Sequence, residues 1–137
     1  MILDSSAIVK LVIQEPMTDF VYETVREAIL RGEELSVPDI ALSEALNALW
    51  KHHRLLGEID EQAYREGAED LLRLWRTFTP YKTEELALEA CEIASSMGIT
   101  IYDALYLALA RRLESRLLTF DKRMLKVARA LGVQTVV

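Results

Sequence analysis

Four acidic residues stand where apolar runs meet polar ones. Asp4 follows Met1-Ile2-Leu3, and Glu44 lies inside Ser43-Glu44-Ala45-Leu46-Asn47. Asp103 heads Asp103-Ala104-Leu105-Tyr106-Leu107-Ala108-Leu109-Ala110, and Asp121 follows Leu117-Leu118-Thr119-Phe120. A carboxylate drawn into apolar surroundings costs free energy unless it is paired, hydrogen-bonded or bound to a metal. If the fold brings these groups together, their mutual repulsion calls for a cation. An oxygen-rich set poor in His and Cys suits Mg²⁺ or Mn²⁺ better than zinc. The chemistry that follows is work on phosphodiesters. Each residue also has a plainer use: Asp4, Asp103 and Asp121 as helix N-caps, and Glu44 at the edge of a buried helix face. Capping and metal binding do not exclude each other, because a carboxylate has several acceptor sites. Asn47, one helical turn beyond Glu44, is placed to orient it or a water beside it.

Other chemistries find less support. His52 and His53 are adjacent, a poor spacing for joint ligation, and read as decoration of a helix end. There is no Gly-rich phosphate loop, no Cys pair and no Gly-x-Ser-x-Gly turn. Ser5 and Ser6 have no evident His partner.

The elements that must position the four acids alternate between short apolar runs and helical patterns. Strands are expected at Ile2-Leu3, Leu35-Ser36-Val37 (closed by Pro38), Thr77-Phe78-Thr79 (ended by Pro80), Leu117-Leu118-Thr119 and Val133 to Val137. Helices are expected from Ser5 to Ile13 and from Pro16 to near Gly32, the latter with Phe20, Tyr22, Val25 and Leu30 as core. Further helices run from an Asp39 cap to about His53, from an Asp60 cap through Trp75, and from a Thr83 cap to Met97. The last two start at Asp103 and Asp121. Short apolar strands alternating with helices argue for a parallel sheet covered on both faces. In such folds ligands bind at the carboxyl ends of the strands, near a switch in strand order. Asp4 and Asp121 fall at such ends.

The chain has 137 residues and a net charge of −6, with half its residues hydrophobic. That fits one domain spanning 1–137 with a substantial core. No apolar run is long enough to cross a membrane as a helix, and a strand signal at Ile2 leaves no room for a signal peptide, so a cytoplasmic location is expected. Cys91 has no second cysteine to pair with and is expected to pack as a small hydrophobe. The charge is uneven: residues 1–110 carry a net −11 and residues 111–137 a net +5. The basic end, Arg111, Arg112, Arg116, Lys122, Arg123, Lys126 and Arg129, is either a local attractor of phosphates or a set of solvated helix faces.

In the order and spacing of Leu3-Asp4-Ser5-Ser6-Ala7, Ser43-Glu44-Ala45, Ile101-Tyr102-Asp103-Ala104-Leu105-Tyr106-Leu107-Ala108-Leu109-Ala110 and Leu118-Thr119-Phe120-Asp121, the chain resembles the PIN-domain family. More narrowly it resembles the VapC-type toxin ribonucleases. The resemblance covers essentially the whole chain. It implies a three-layer α/β/α fold with about four or five parallel strands, and cleavage of RNA with Mg²⁺ or Mn²⁺ by in-line displacement. Carried over by position, Asp4, Glu44, Asp103 and Asp121 form the acidic quartet, and Ser6 and Thr119 match supporting hydroxyl positions. Asp121 occupies the position that varies most. The resemblance also implies a homodimer and a VapB-type antitoxin laid over the active-site groove. Arg111, Arg112 and Lys122 are then candidates to hold the RNA backbone.

Three other readings stand beside this one. A phosphate-accepting receiver domain also gathers acids at strand ends, but it needs an Asp after its middle strand and a Lys after its last, and neither is present. A non-catalytic module would fill the acidic pocket with a partner's basic residue. An RNA-processing PIN nuclease would act without an antitoxin. Trp50, Trp75 and Tyr64 are candidates for a partner face or for core packing.

Overall fold

The structure is a computed structural model that describes residues 1–137. In chain order its elements are β1 (Ile2–Leu3), α1 (Ser5–Val9), α2 (Thr18–Leu30), β2 (Ser36–Pro38), α3 (Ala41–Arg54), α4 (Glu61–Trp75), β3 (Thr79–Tyr81), α5 (Thr83–Met97), α6 (Ile101–Arg112), β4 (Leu117–Leu118) and α7 (Lys122–Ala130). The strands form one parallel sheet in the order β3-β2-β1-β4. Neighbouring residues of a strand point to opposite faces. Ile2 and Leu3, Ser36 and Val37, and Leu117 and Leu118 are all buried, so helices cover both faces and the fold is α/β/α. The side chains of one core cluster run through all these layers.

The chain starts in β1, builds outward through β2 and β3, then returns to add β4 on the other side of β1. The order therefore reverses between β1 and β4, and a crevice opens at their carboxyl ends. Helix α6 lies against β1, β2 and β4 and packs on α5. Its residues Ala104 to Ala110 are all buried, as expected of a helix apolar all round. Asp103, in its first turn, is thereby held at the edge of the sheet's carboxyl end.

Several boundaries differ from the sequence expectation, each for a physical reason. Both prolines expected to end strands lie inside them: Pro38 closes β2, and Pro80 is paired with Val37 in β3. β3 is an edge strand, where a missing N–H is tolerated, and β1 pairs with β2 only at Ser36, so Pro38 lies beyond that ladder. The expected fifth strand, Val133 to Val137, contributes one bridge, Leu117 to Thr135, which leaves four strands. α1 ends at Val9, and α2 starts at Thr18, after Met17 in the left-handed region.

The caps also shift. Asp39 does not cap α3; its carboxylate accepts from the Thr83 backbone N–H and hydroxyl, which ties β2 to α5. Thr83 is inside α5, whose start is closed by Glu85 accepting from the Lys82 N–H. Asp60 caps α4 as expected, and Gly98 ends α5 with φ 64°, the left-handed conformation that favours glycine.

On α2, Val25 is buried, but Phe20, Tyr22 and Leu30 face outward, and the buried stripe is Val21, Val25 and Ala28. Cys91 is exposed rather than packed, beside Leu88, which is 84% exposed. Trp75 packs edge-on against Phe78 and Tyr64 stacks on His53, whereas Trp50 is exposed.

Candidate active site

Asp4 is the buried centre of the crevice. It follows β1, caps α1 by accepting from the Ala7 N–H at 2.9 Å, and is only 3% exposed. The Ser6 hydroxyl donates to the same oxygen, Oδ1, at 2.7 Å. The Thr119 hydroxyl, one residue past β4, donates to Oδ2 at 2.5 Å. Thr119 Oγ1 in turn accepts the Asp121 N–H at 3.1 Å, and Ser6 Oγ accepts the Phe120 N–H at 3.1 Å. The two hydroxyls thus lace the end of β1 to the end of β4. Asp121 caps α7, with Oδ1 accepting from the Arg123 and Met124 N–H groups at 2.7 and 2.8 Å. Its other oxygen takes no part in the cap, and the residue is exposed.

The other two acids come from helices that cross the crevice. Glu44 sits in the first turn of α3 and is half-buried; the Tyr106 hydroxyl donates to its Oε2 at 2.6 Å. Asp103 stands in the first turn of α6, and Thr100 is the cap there, its hydroxyl accepting the Asp103 N–H at 3.1 Å. The cap expected at Asp103 is therefore made by Thr100, and the Asp103 carboxylate has no capping duty.

The four groups feel one another. Burial is the main force raising the Asp4 carboxyl above its ordinary value, opposed by the hydrogen bonds from Thr119, Ser6 and Ala7 and reinforced by the charge of Asp121. Burial also raises Glu44, opposed by Tyr106 and reinforced by the charges of Asp103 and Asp4. Burial and the neighbouring Glu44 hold the Tyr106 phenol far above its usual range, so it remains a donor. No Lys, Arg or His forms an ion pair with any of the four acids. Their charge is thus uncompensated by the protein. No three of them stand at metal-ligand spacing, and Asp4 and Glu44 are engaged in hydrogen bonds with Thr119 and Tyr106. As a donor set, four carboxylates and two hydroxyls with excess negative charge fit a hard divalent cation.

Asn47 and Ser43 line a cleft next to Glu44, together with Tyr102. Lys122 is exposed at the start of α7, next to Asp121. Arg111 and Arg112 are not brought to the crevice. They occupy the last turn of α6, facing Glu89 at 3.8 and 3.7 Å, about 12 Å or more along the helix from Asp103 at its 1.5 Å rise. Arg116 pairs with Glu33 near the amino ends of the strands, and Arg123 donates to the Gly98 carbonyl. The histidines decorate the end of α3, His52 between Glu15 and Glu58 and His53 beside Glu61. Tyr106 is the site residue that sequence reasoning missed. Its signal was present, since a hydroxyl in an otherwise apolar, buried helix must find a partner.

The PIN-domain family model, described as "PIN domain", matches residues 1–130. The chain is 32% identical over 124 residues to ribonuclease VapC3 of Pyrobaculum aerophilum, covering 90% of this chain and 91% of that one. It is 31% identical over 108 residues to exonuclease VapC9 of the same organism, covering 78% and 77%. Among solved structures it shares its fold with PAE2754 from Pyrobaculum aerophilum, with a TM-score of 0.70 at 24% identity over 98% of this chain and 87% of that one. VapBC2 from Rickettsia felis, bound to a DNA fragment from its promoter, gives 0.66 at 14% identity over 98% and 95%.

Proposed function

The chain belongs to the PIN-domain family, and on that premise we propose that it is a metal-dependent endoribonuclease, the toxin of a toxin–antitoxin pair, which hydrolyses RNA phosphodiesters by in-line attack of water. What supports this reading is that Asp4 feels the charge of Asp121, and Glu44 the charges of Asp103 and Asp4, near the β1–β4 switch and with no protein cation paired to any of the four. Asp4, Glu44, Asp103 and Asp121 are the residues that would hold Mg²⁺ or Mn²⁺, with Asp4 and Asp103 as the main anchors. Such an ion, when bound, supplies positive charge to the scissile phosphate and lowers the pKa of an attacking water.

The protein's own part is positioning. Ser6 and Thr119 fix the Asp4 rotamer from two sides, and Tyr106 fixes that of Glu44. Asp121 offers its uncommitted oxygen from a carboxylate locked by its cap. Asp103, free of capping, can turn toward the crevice. Asn47 stands one turn from Glu44 and orients it or an adjacent water. Lys122 is the basic residue beside the site that can meet a phosphate.

The VapC names of both relatives support a cognate VapB-type antitoxin as partner. Besides the active-site groove, a second surface for it is the exposed apolar groove of about 290 Å³ lined by Leu11, Tyr22, Val25, Ile29, Leu30 and Leu74, of the kind that an amphipathic helix fills. A cytoplasmic homodimer belongs to the same reading; sedimentation of the purified chain tests the dimer.

One relative is called an exonuclease, which favours end-directed cleavage as the second reading. Linear and circular single-stranded RNAs, incubated with Mg²⁺ or Mn²⁺ and with wild type or Asp103→Asn, separate the two. Metal-dependent cutting of both RNAs, lost in the variant, is the expected result. Cutting of the linear RNA alone would favour the exonuclease. Equal cutting by wild type and variant would remove Asp103 from the site, and no cutting of any RNA by a folded, metal-binding wild type would leave a binding role.

A further inference from the structure

Tyr102 immediately precedes Asp103, yet the residue is 61% exposed and its ring pairs with no other aromatic side chain. It forms one wall of a cleft of about 330 Å³ whose other walls are Ser43, Glu44 and Asn47. Glu44 belongs to both this cleft and the acidic cluster, so whatever occupies the cleft lies one side chain from the acids.

The chemistry of the walls selects the occupant. None is cationic and one is a carboxylate, so a phosphate finds nothing there to offset its charge. A neutral planar group with a polar edge finds a ring to stack on, the Asn47 amide as donor and acceptor, and the Ser43 hydroxyl as either. An unpaired nucleobase has that form: a π-face and a hydrogen-bonding edge that a duplex would hide. The placement of the cations points the same way. Arg111 and Arg112 lie at the far end of α6, so they bring no phosphate contact to this cleft.

We infer that the cleft between Tyr102 and Ser43-Glu44-Asn47 seats one unpaired base of single-stranded RNA beside the scissile phosphate, stacked on Tyr102. This rests on the nuclease reading only for the identity of the neighbouring phosphate. Stacking on an aromatic residue contributes about 1–3 kcal/mol per base, which corresponds to roughly a 5- to 150-fold change in affinity.

The test separates base seating from cleavage. Binding of a short single-stranded RNA carrying 2-aminopurine is followed by fluorescence with Ca²⁺ in place of Mg²⁺, for wild type, Tyr102→Ala, Tyr102→Phe and Asn47→Ala. The expected result is quenching at one oligonucleotide position and affinity about tenfold weaker for Tyr102→Ala, with Tyr102→Phe close to wild type. Removing the base at that position should weaken wild type but not Tyr102→Ala. In Mg²⁺ the loss should fall on KM more than on kcat. Wild-type affinity in Tyr102→Ala would overturn the inference while leaving the nuclease intact. So would failure of the wild type to bind any oligonucleotide, or a change of oligomeric state in Tyr102→Ala, which would give the ring to a protein contact. Base-dependent binding by a wild type that cuts nothing would uphold the cleft and overturn the nuclease.

Discussion

The Tyr106 hydroxyl donates to Glu44 Oε2 at 2.6 Å across a sequence separation of 62 residues, from a residue that is 2% exposed. The bond joins the central helix α6 to the first turn of α3 and fixes the direction of a half-buried carboxylate. A hydrogen bond to a charged group contributes about 1.5–3 kcal/mol. Tyr106→Phe should therefore keep the fold and the packing but release Glu44. The expected outcome is a drop in kcat of about tenfold or more and weaker Mn²⁺ binding by calorimetry, with an unchanged circular dichroism spectrum. Wild-type values for both would show that Glu44 needs no such restraint.

Thr119 serves Asp4 and the Asp121 backbone with one oxygen. Thr119→Val keeps the shape and removes both bonds, leaving a buried carboxylate short of a donor. Stability should fall by about 1–3 kcal/mol, read from urea unfolding at neutral pH. Thr119→Ser, which keeps the hydroxyl, should recover most of the loss.

Burial raises the carboxyls of Asp4 and Glu44 above their ordinary values of 3.8 and 4.5. The folded protein then binds more protons than the unfolded chain over the window that starts near those values and ends at the raised ones. Stability must fall as pH rises through that window and level off above it. A divalent ion that binds the ionised carboxylates should offset this cost. Mn²⁺ should accordingly raise Tm at pH 7.5, and the rise should shrink as the pH is lowered into the window. A metal-induced rise in Tm that is the same at pH 4.5 and 7.5 would contradict the assignment of these two acids as ligands.

The basic residues divide by position. Lys122→Ala, beside the crevice, should lower the slope of log affinity against log salt for RNA by about one. Arg111→Ala and Arg112→Ala, facing Glu89 at the far end of α6, should leave that slope as it is. A reduced slope in the arginine variants would mean that RNA runs along α6 as well.

The apolar groove on α2 gives a separate test. Ile29 is 54% exposed within it. Ile29→Glu should leave cleavage intact but weaken a complex with a VapB-type antitoxin by tenfold or more, since a buried unpaired carboxylate is costly. Unchanged affinity would move the partner's helix to another surface.

The sequence made Asp4 and Asp121 legible because each follows a short apolar strand, where a polar residue marks a carboxyl end. The parallel sheet was legible from the alternation of short strands and helices. Asp103 was read as the cap that opens its helix, a place that belongs to Thr100, since a run of apolar residues shows where a helix is buried and not which neighbour closes its first turn. Arg111 and Arg112 were candidates for the RNA backbone because they belong to the basic carboxyl-terminal end, but they close α6, which holds Asp103 in its first turn. The length of that helix is what separates them. Phe20, Tyr22, Leu30 and Cys91 were read inward because periodicity identifies apolar positions, while exposure depends on which neighbours exist. The Tyr106–Glu44 bond was hidden because it spans residues whose contact only the tertiary fold decides.

The Asp4–Thr119 bond also has a consequence in time. It joins residues 115 positions apart, and β4 can be added only after most of the chain has left the ribosome. Contacts of such long sequence separation form late, once the entropy of closing the intervening chain has been overcome. A nascent chain that has exposed Asp4, Glu44 and even Asp103 still lacks the strand that orients the first of them. The crevice is therefore one of the last features to assemble.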